Sequence, residues 1–357
     1  MSKEFTYAKA GVDRELRAKS KEALKRLRTT HKYSRYGKII RLPYGNIFPF
    51  GDRYLDFVIE GVGSKVLLAQ LADKYDTIGI DAVALAVNDV IRSGAKPLAI
   101  VDNIHAQDSN PRLVDEWLKG IAKGASEAEC LVPAGEIGDV EEVIKGLMNG
   151  KGFDMVVATI GEVAKKDIVY GNEIKPGDVV IGLRSSGLHS NGITLARKIL
   201  FKQWGGKYEA YDAPKGLNRE IVFEVLEPMK IYVKPIMNVL KNFHVKGLVH
   251  ITGDAYLKFN RLMEFSKGIG FEFDNFKPQP IFQIIQQTAK ELKKPITDEE
   301  MFKTFNMGWG FAVVCEEEDK DDIIDNFRKS KAEAELIGKV NASEKIVAKW
   351  RKKILIQ

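Results

Sequence analysis

Two short glycine-bearing stretches hold the residue types most able to do chemistry in this chain. Glu60-Gly61-Val62-Gly63-Ser64-Lys65 combines a carboxylate, a hydroxyl and an ammonium with two residues that let the backbone approach a ligand closely. Ser185-Ser186-Gly187-Leu188-His189-Ser190-Asn191-Gly192 gathers three serines, an asparagine and a histidine into eight residues. Each stretch follows a strand-like run and precedes a helical pattern, so each can turn free backbone amides toward an anion. Two cradles in one chain point to two phosphate-bearing ligands brought together, as in an ATP-consuming enzyme acting on a phosphorylated metabolite. The first stretch lacks the four-residue gap of a Walker loop and is not the dinucleotide fingerprint; a structural turn fits it equally well. In the second, Ser190 or Asn191 can cap the next helix, but capping leaves the serine pair and His189 unexplained. His189 has the side chain suited to proton transfer near neutral pH.

Carboxylates and further polar clusters accompany the loops. Asn88 and Asp89 lie on an apolar helical stripe led by Asp81. Asp81 and Asn88, seven residues apart, share a face, and Asp89 lies to one side of it. A carboxylate there can hold Mg²⁺ against phosphate oxygens; an exposed polar helix face is the plainer reading. Gly135 and Glu136 follow a short strand, where Glu136 serves either as a second metal ligand or as an ordinary loop acid. His250 and Thr252, and likewise Thr304 and Asn306, sit in polar clusters at strand edges that line a cleft or merely turn the chain.

Regular elements must position these groups. Apolar spacing predicts helices over 12–27, 66–73, 80–91, 111–129 and 194–203. Gly94 supplies a stop for the third. Two helical pieces over 219–242 are expected to break near Pro228 and Pro235. Strands are predicted over 54–59, 98–101, 131–133, 155–163, 179–183, 311–314 and 336–340. The polar stretch 165–178, with Gly171, Pro176 and Gly177, marks a boundary between an N-terminal domain (1–170) and a C-terminal domain (171–357). The pattern suits two α/β or α+β domains rather than one continuous parallel sheet.

Composition narrows the class. The 357 residues suffice for two cores, and 45% hydrophobic with 29% charged residues is an ordinary globular balance. No apolar run approaches the ~18 residues of a membrane-spanning helix, and Met1-Ser2-Lys3-Glu4 begins no secretory leader. Cys130 and Cys315 read as reduced, buried thiols, which fits the cytoplasm. The net charge of +6 concentrates at the start, where residues 1–41 hold thirteen Lys or Arg against four acids. Without stacking aromatics this is a solvated basic face rather than a nucleic-acid surface, with Lys25 the candidate to reach a polyphosphate.

Seven strings in matching order carry a resemblance: Tyr7-Ala8-Lys9-Ala10-Gly11-Val12-Asp13, Gly61 to Lys65, Val87-Asn88-Asp89, the octet Ser185 to Gly192, Ile231-Tyr232-Val233-Lys234-Pro235, His250-Ile251-Thr252-Gly253 and Thr304-Phe305-Asn306-Met307-Gly308. From Tyr7 to Val340 the chain resembles the aminoimidazole ribonucleotide synthetase (phosphoribosylformylglycinamidine cyclo-ligase) family. The resemblance implies a homodimer whose N-terminal domains pair into a barrel-like core, each bearing an α+β C-terminal domain. It also implies a cleft binding ATP and Mg²⁺, with ring closure of phosphoribosylformylglycinamidine and release of ADP and phosphate. Carried over by position, Gly61, Gly63, Ser64, Lys65, Asn88, Gly135 and Lys25 would serve ATP. Glu60, Asp89 and Glu136 would serve the metal. Ser185, Ser186, His189, Ser190, Asn191, His250, Thr252, Thr304 and Asn306 would serve the substrate, with His189, Lys65 and Asp89 catalytic. The chain departs from the family at Glu60 (usually Asp), at Ile137 and at Asp254 (usually Gly). These departures leave two alternatives: a superfamily relative with another substrate, and a non-catalytic nucleotide-binding homologue.

Overall fold

The computed structural model describes residues 4–357; the leader reading at Met1-Ser2-Lys3 lies outside them. Strands β1 (Ile40–Leu42), β2 (Gly45–Phe50), β3 (Arg53–Gly61), β4 (Lys96–Ala106), β5 (Leu131–Asp139) and β6 (Phe153–Ala164) form one sheet in the order β1-β2-β3-β6-β4-β5. Every pair is antiparallel except β4 with β5. The accompanying helices are α1 (Arg14–Lys21), α2 (Val66–Ala72), α3 (Ile78–Val90) and α4 (Pro111–Ala128). Along β6, buried residues alternate with half-exposed ones, the mark of a sheet with one covered face. The fully buried α3 covers that face, touching β3 and β6, and α4 lies on α3. The opposite face keeps Phe57, Ile59, Val101 and Leu131 exposed.

The second lobe is built on β7 (Val179–Arg184), β8 (Gly247–His250), β9 (Gly270–Phe273), β10 (Trp309–Cys315), β11 (Ala334–Asn341), β12 (Ile346–Trp350) and β13 (Lys352–Leu355). Their order is β13-β12-β9-β11-β7-β10-β8, mixed because β12 runs parallel to β9. The apolar run of β10 is buried from end to end, as a central strand must be. Helices α5 (Ile193–Leu200), α6 (Ile221–Val225), α7 (Val233–Asn242), α8 (Asn260–Phe265), α9 (Pro280–Glu291), α10 (Asp298–Thr304) and α11 (Lys320–Lys329) complete the lobe. The result is a two-domain α/β architecture with mixed sheets.

Three expectations need correction. The helix read over 12–27 is α-helical only through Lys21; residues Glu22–Tyr33 form a 3₁₀ helix, and neither piece buries a residue. Leu16, Leu24 and Leu27 stay exposed because this segment spans a cleft instead of lying on a core. The strand at 131–133 continues to Asp139, so Gly135 and Glu136 lie within β5 rather than beyond a strand end. Pro235 does not break the second helical piece: it occupies the first turn of α7, where its missing N–H is not needed. Strands β1, β2, β8, β9, β12 and β13 went unread because each is only three to six residues long; β2 also contains Pro49, and β13 opens on two lysines.

The α3–α4 crossing depends on glycine. A Cβ on Gly79 would lie 2.3 Å from the Ile121 nitrogen, whereas one on Gly124 would meet the Val83 side chain at 2.9 Å. Backbone cannot yield as a side chain can. Gly79→Ala is therefore expected to cost about 1–3 kcal/mol of stability in urea unfolding, and Gly124→Ala less; equal losses would contradict this packing.

Candidate active site

A cleft of about 1540 Å³ runs between the lobes. Glu60, Gly61 and Val62 from the end of β3, with Asp89 and Arg92 beyond α3's middle, form one wall. Ser190, Asn191, Thr252 and Lys258 form the other, and Lys25 lies at the edge on the basic N-terminal segment. The first glycine loop meets the start of α5, just past the second loop: Ser64 Oγ and Thr194 Oγ1 are 2.8 Å apart. Gly192, at φ 62° with Phe305 2.4 Å from where a Cβ would sit, lets the second loop turn into α5. Ser190 Oγ and Asn191 Oδ1 are buried without a hydrogen-bond partner, although both residues line the cleft. Buried acceptors and hydroxyls left open at a cleft wall are costly unless a ligand or water completes them.

Beneath the cleft, residues 227–232 pass between the lobes and are gripped from both. Lys65, fully buried, pairs with the equally buried Asp81 at 2.7 Å and donates to the Glu227 carbonyl at 2.9 Å. Asp81 Oδ1 accepts from the Met229 amide at 2.9 Å. Asn88 accepts from the Tyr232 amide and donates to the Lys230 carbonyl. From the second loop, Ser186 Oγ donates to the Pro228 carbonyl. Asp81 and Asn88 share one face of α3, as their spacing predicts, but that face meets this strap. The lysine and asparagine expected at ATP phosphates are thus committed inside the protein, since a buried ammonium without its ion pair, or a buried amide without its hydrogen bonds, would be costly.

The second loop is held the same way. His189, at φ 60°, is wholly buried; its Nε2 accepts from the Ser186 amide at 3.1 Å. Burial, reinforced by His250, Lys65 and Lys230, keeps its pKa well below 6.5. This neutral imidazole lies behind the cleft wall and shapes the loop, while its Nδ1 has no hydrogen-bond partner. Asn306 donates to the Gly187 carbonyl at 2.8 Å, and its Oδ1 lies 3.2 Å from Ser185 Oγ. Thr304 bonds Glu300 and Arg14. Ser185, Ser186, Thr304 and Asn306 therefore support the loop from behind.

The charged floor of the cleft centres on Asp89. One oxygen accepts from His250 Nδ1 at 2.7 Å and the other pairs with Arg92 at 2.7 Å. Burial would raise the Asp89 carboxyl, but Arg92, Lys258 and His250 together hold it well below the usual range. Burial brings His250 down to about 4 despite Asp89, leaving it neutral with Nε2 unpartnered. Burial and the adjacent Asp89 push Glu60 up to about 7, against Lys258 and Arg92. Burial likewise lifts Asp56 to about 6. Glu60 is thus a carboxyl that burial and Asp89 keep protonated beside an ionised one, the kind of pair a divalent cation suits. Among the described residues no cluster of three or more His, Cys, Asp or Glu surrounds a metal-sized site. Glu136 is exposed on β5, whose partner across the sheet is β4, so three strand spacings, about 14 Å, separate it from β3.

Comparison with known proteins now places the chain. The N-terminal domain model described as AIR synthase related protein matches residues 47–163, and the corresponding C-terminal domain model matches 175–351. A Pyrococcus furiosus protein named phosphoribosylformylglycinamidine cyclo-ligase is 41% identical over 325 residues, 90% of each chain. One of the same name from Methanocaldococcus jannaschii is 38% identical, covering 94% of this chain and 92% of its own. The chain belongs to the phosphoribosylformylglycinamidine cyclo-ligase family. The solved HypE–HypF complex shares its fold, with a TM-score of 0.58 at 19% identity over 87% of this chain and 92% of that one.

Within this cyclo-ligase family member, the structure brings Lys25, Glu60, Gly61, Asp89, Ser190, Asn191 and Thr252 to one cleft. Gly63, Ser64, Lys65, Asn88, His189 and His250 lie just behind its walls, and Gly135 and Glu136 lie away from it on β5. Arg92, Asp56 and Lys258 went unread. Arg92 was findable as the (i, i+3) partner of Asp89; Lys258, brought in from the other lobe, was not. Asp254, which no spacing explained, pairs with Arg14 at 3.2 Å.

Two outcomes follow from this chemistry. Lys65→Met strands Asp81 and is expected to cost about 3–5 kcal/mol in urea unfolding; adding Asp81→Leu should recover only part, because the Met229 amide then loses its acceptor. A loss below about 1 kcal/mol would contradict the buried pair. Glu60 holds its proton more tightly folded (about 7) than at its ordinary 4.5. Its contribution is therefore full at low pH and lost as pH rises through 7. Relative to the parent chain without divalent cations, Glu60→Gln should gain stability between pH 5 and 8, on the order of 1–3 kcal/mol; a pH-independent difference would contradict the assignment.

Proposed function

We propose that this protein closes the imidazole ring of phosphoribosylformylglycinamidine, using ATP and yielding aminoimidazole ribonucleotide, ADP and phosphate. The observation that carries the reading is that both glycine-bearing stretches line one cleft, Glu60, Gly61 and Val62 on one wall and Ser190 and Asn191 on the other, in a chain whose relatives of this name match along nine-tenths of its length. ATP passes its γ-phosphoryl group to the formyl amide oxygen, the amidine nitrogen attacks the carbon so activated, and the C–O bond to the departing phosphate breaks. Phosphoryl transfer needs positioning and charge neutralisation more than covalent help from the protein. Arg92, Lys258 and the basic segment bearing Lys25 supply positive charge along the cleft. Glu60 and Asp89 would hold Mg²⁺, which would supply charge neutralisation to the phosphates. Ser190, Asn191 and Thr252 would take the phosphoribosyl substrate.

The exposed apolar face of the first sheet supports a homodimer formed face to face through Phe57, Ile59, Val101 and Leu131, since a monomer seldom leaves such a sheet open. That pairing would build the barrel-like core and would let exposed Glu136 and its neighbour Gly135 serve the partner's cleft rather than their own. We place the domain division at 170/171 and the protein in the cytoplasm, acting without nucleic acid; among the described residues no helix is long and apolar enough to cross a membrane.

Purified protein with Mg²⁺ is expected to release ADP only when phosphoribosylformylglycinamidine is supplied, and Asp89→Asn should lower kcat/KM by roughly 100-fold or more. ATP hydrolysis at the same rate without that substrate would overturn the reading.

A further inference from the structure

The basic N-terminal segment is anchored at its two ends; after residue 33, Tyr36 packs on Phe50 and β1 joins the first sheet. Residues before Arg14 lie along the second lobe: Phe5 donates to the Pro295 carbonyl at 2.9 Å, and Lys198 donates to the Ala10 carbonyl at 2.7 Å. Beyond it, nothing from Arg14 to Tyr33 is buried. Among the described residues, side-chain hydrogen bonds from 15–33 stay within the segment. Yet Arg17, Lys21, Lys25 and Arg28 line the cleft. A twelve-residue 3₁₀ stretch is too poorly bonded internally to hold those cations in place by itself.

Arg14 supplies the constraint at the N-terminal end. Its Nε donates to Asp254 at 3.2 Å, Nη1 to Glu300 at 3.1 Å, and Nη2 to the Lys303 carbonyl at 2.9 Å and Thr304 Oγ1 at 2.7 Å. Its guanidinium also lies 5.2 Å from the Tyr7 ring centroid. A guanidinium has five N–H donors, and this one spends each of its nitrogens on protein. The partner Asp254 belongs to a loop whose residues Asp254 and Ala255 both adopt left-handed backbone, at φ 69° and 40°. Non-glycine residues keep that conformation only when their surroundings impose it. The same loop presents Thr252 and Gly253 to the cleft.

We propose that Arg14 is a positioning residue of the cleft: it borders the cleft, but its nitrogens are committed to protein, and its fork fixes where the cationic segment 17–28 crosses the opening and holds the 252–255 loop in its left-handed turn. The consequence for ATP rests on the function proposed above; the anchoring does not.

The test compares the parent full-length chain with Arg14→Lys and Arg14→Gln. Without ligand, trypsin should cut between residues 17 and 28 at least about fivefold faster in both variants, because the segment opens locally. With both substrates, KM for ATP should rise about tenfold or more while kcat stays within about twofold. Lysine should not rescue, since a point charge cannot replace the fork. Parental values in Arg14→Lys would overturn the proposal, because charge alone would then suffice. Unchanged cleavage in both variants would overturn it, as would faster cleavage with an unchanged ATP KM. If the parent chain fails to close the ring, the proposed function falls, and the cleavage comparison still decides whether Arg14 is the anchor.

Discussion

Residues 227–232 are the part of the chain on which both walls of the cleft depend. Lys65 and Asp81 grip that strap from the first lobe, Asn88 bonds two of its backbone groups, and Ser186 reaches it from the second. Each of these groups is buried or nearly so, and each would carry a desolvation cost of a few kcal/mol if its partner moved away. The two glycine loops are therefore registered against one another through a shared piece of backbone. The 2.8 Å approach of Ser64 to Thr194 is the visible result.

On that frame the cleft floor can sustain charges that would otherwise be untenable. Asp89 remains ionised because Arg92, Lys258 and His250 converge on it from two lobes, while neighbouring Glu60 keeps a proton until about pH 7. Glu60 is thus a carboxyl whose proton a divalent cation could displace, and the open edge carries an excess of cations suited to phosphate. A site that takes a divalent cation and a polyphosphate together would satisfy both.

Much of the fold was legible in the sequence, because long apolar runs such as 179–183 and 311–314 admit only buried strands, and α3 and α4 carry clear helical periodicity. Short strands with lysines or proline in them were not. The site was legible as a set of residues but not as a set of roles. Lys65, Asn88 and His189 have the functional groups that phosphate chemistry uses, and their types do not reveal that they face inward. Only tertiary placement shows that Asn88 turns to the strap and Asp89, one residue later, turns to the cleft. Asp254 was the opposite case, a carboxylate that looked misplaced beside phosphate until Arg14, 240 residues away in sequence, was seen to hold it.

The strap's role is open to a single direct measurement, native-state hydrogen exchange at the amides of Met229 and Tyr232. If the strap locks the lobes, both amides should exchange only through global unfolding, with the same opening free energy as Val313 in central strand β10. Exchange faster by several kcal/mol than at Val313, showing that the strap opens while the core stays folded, would contradict the account.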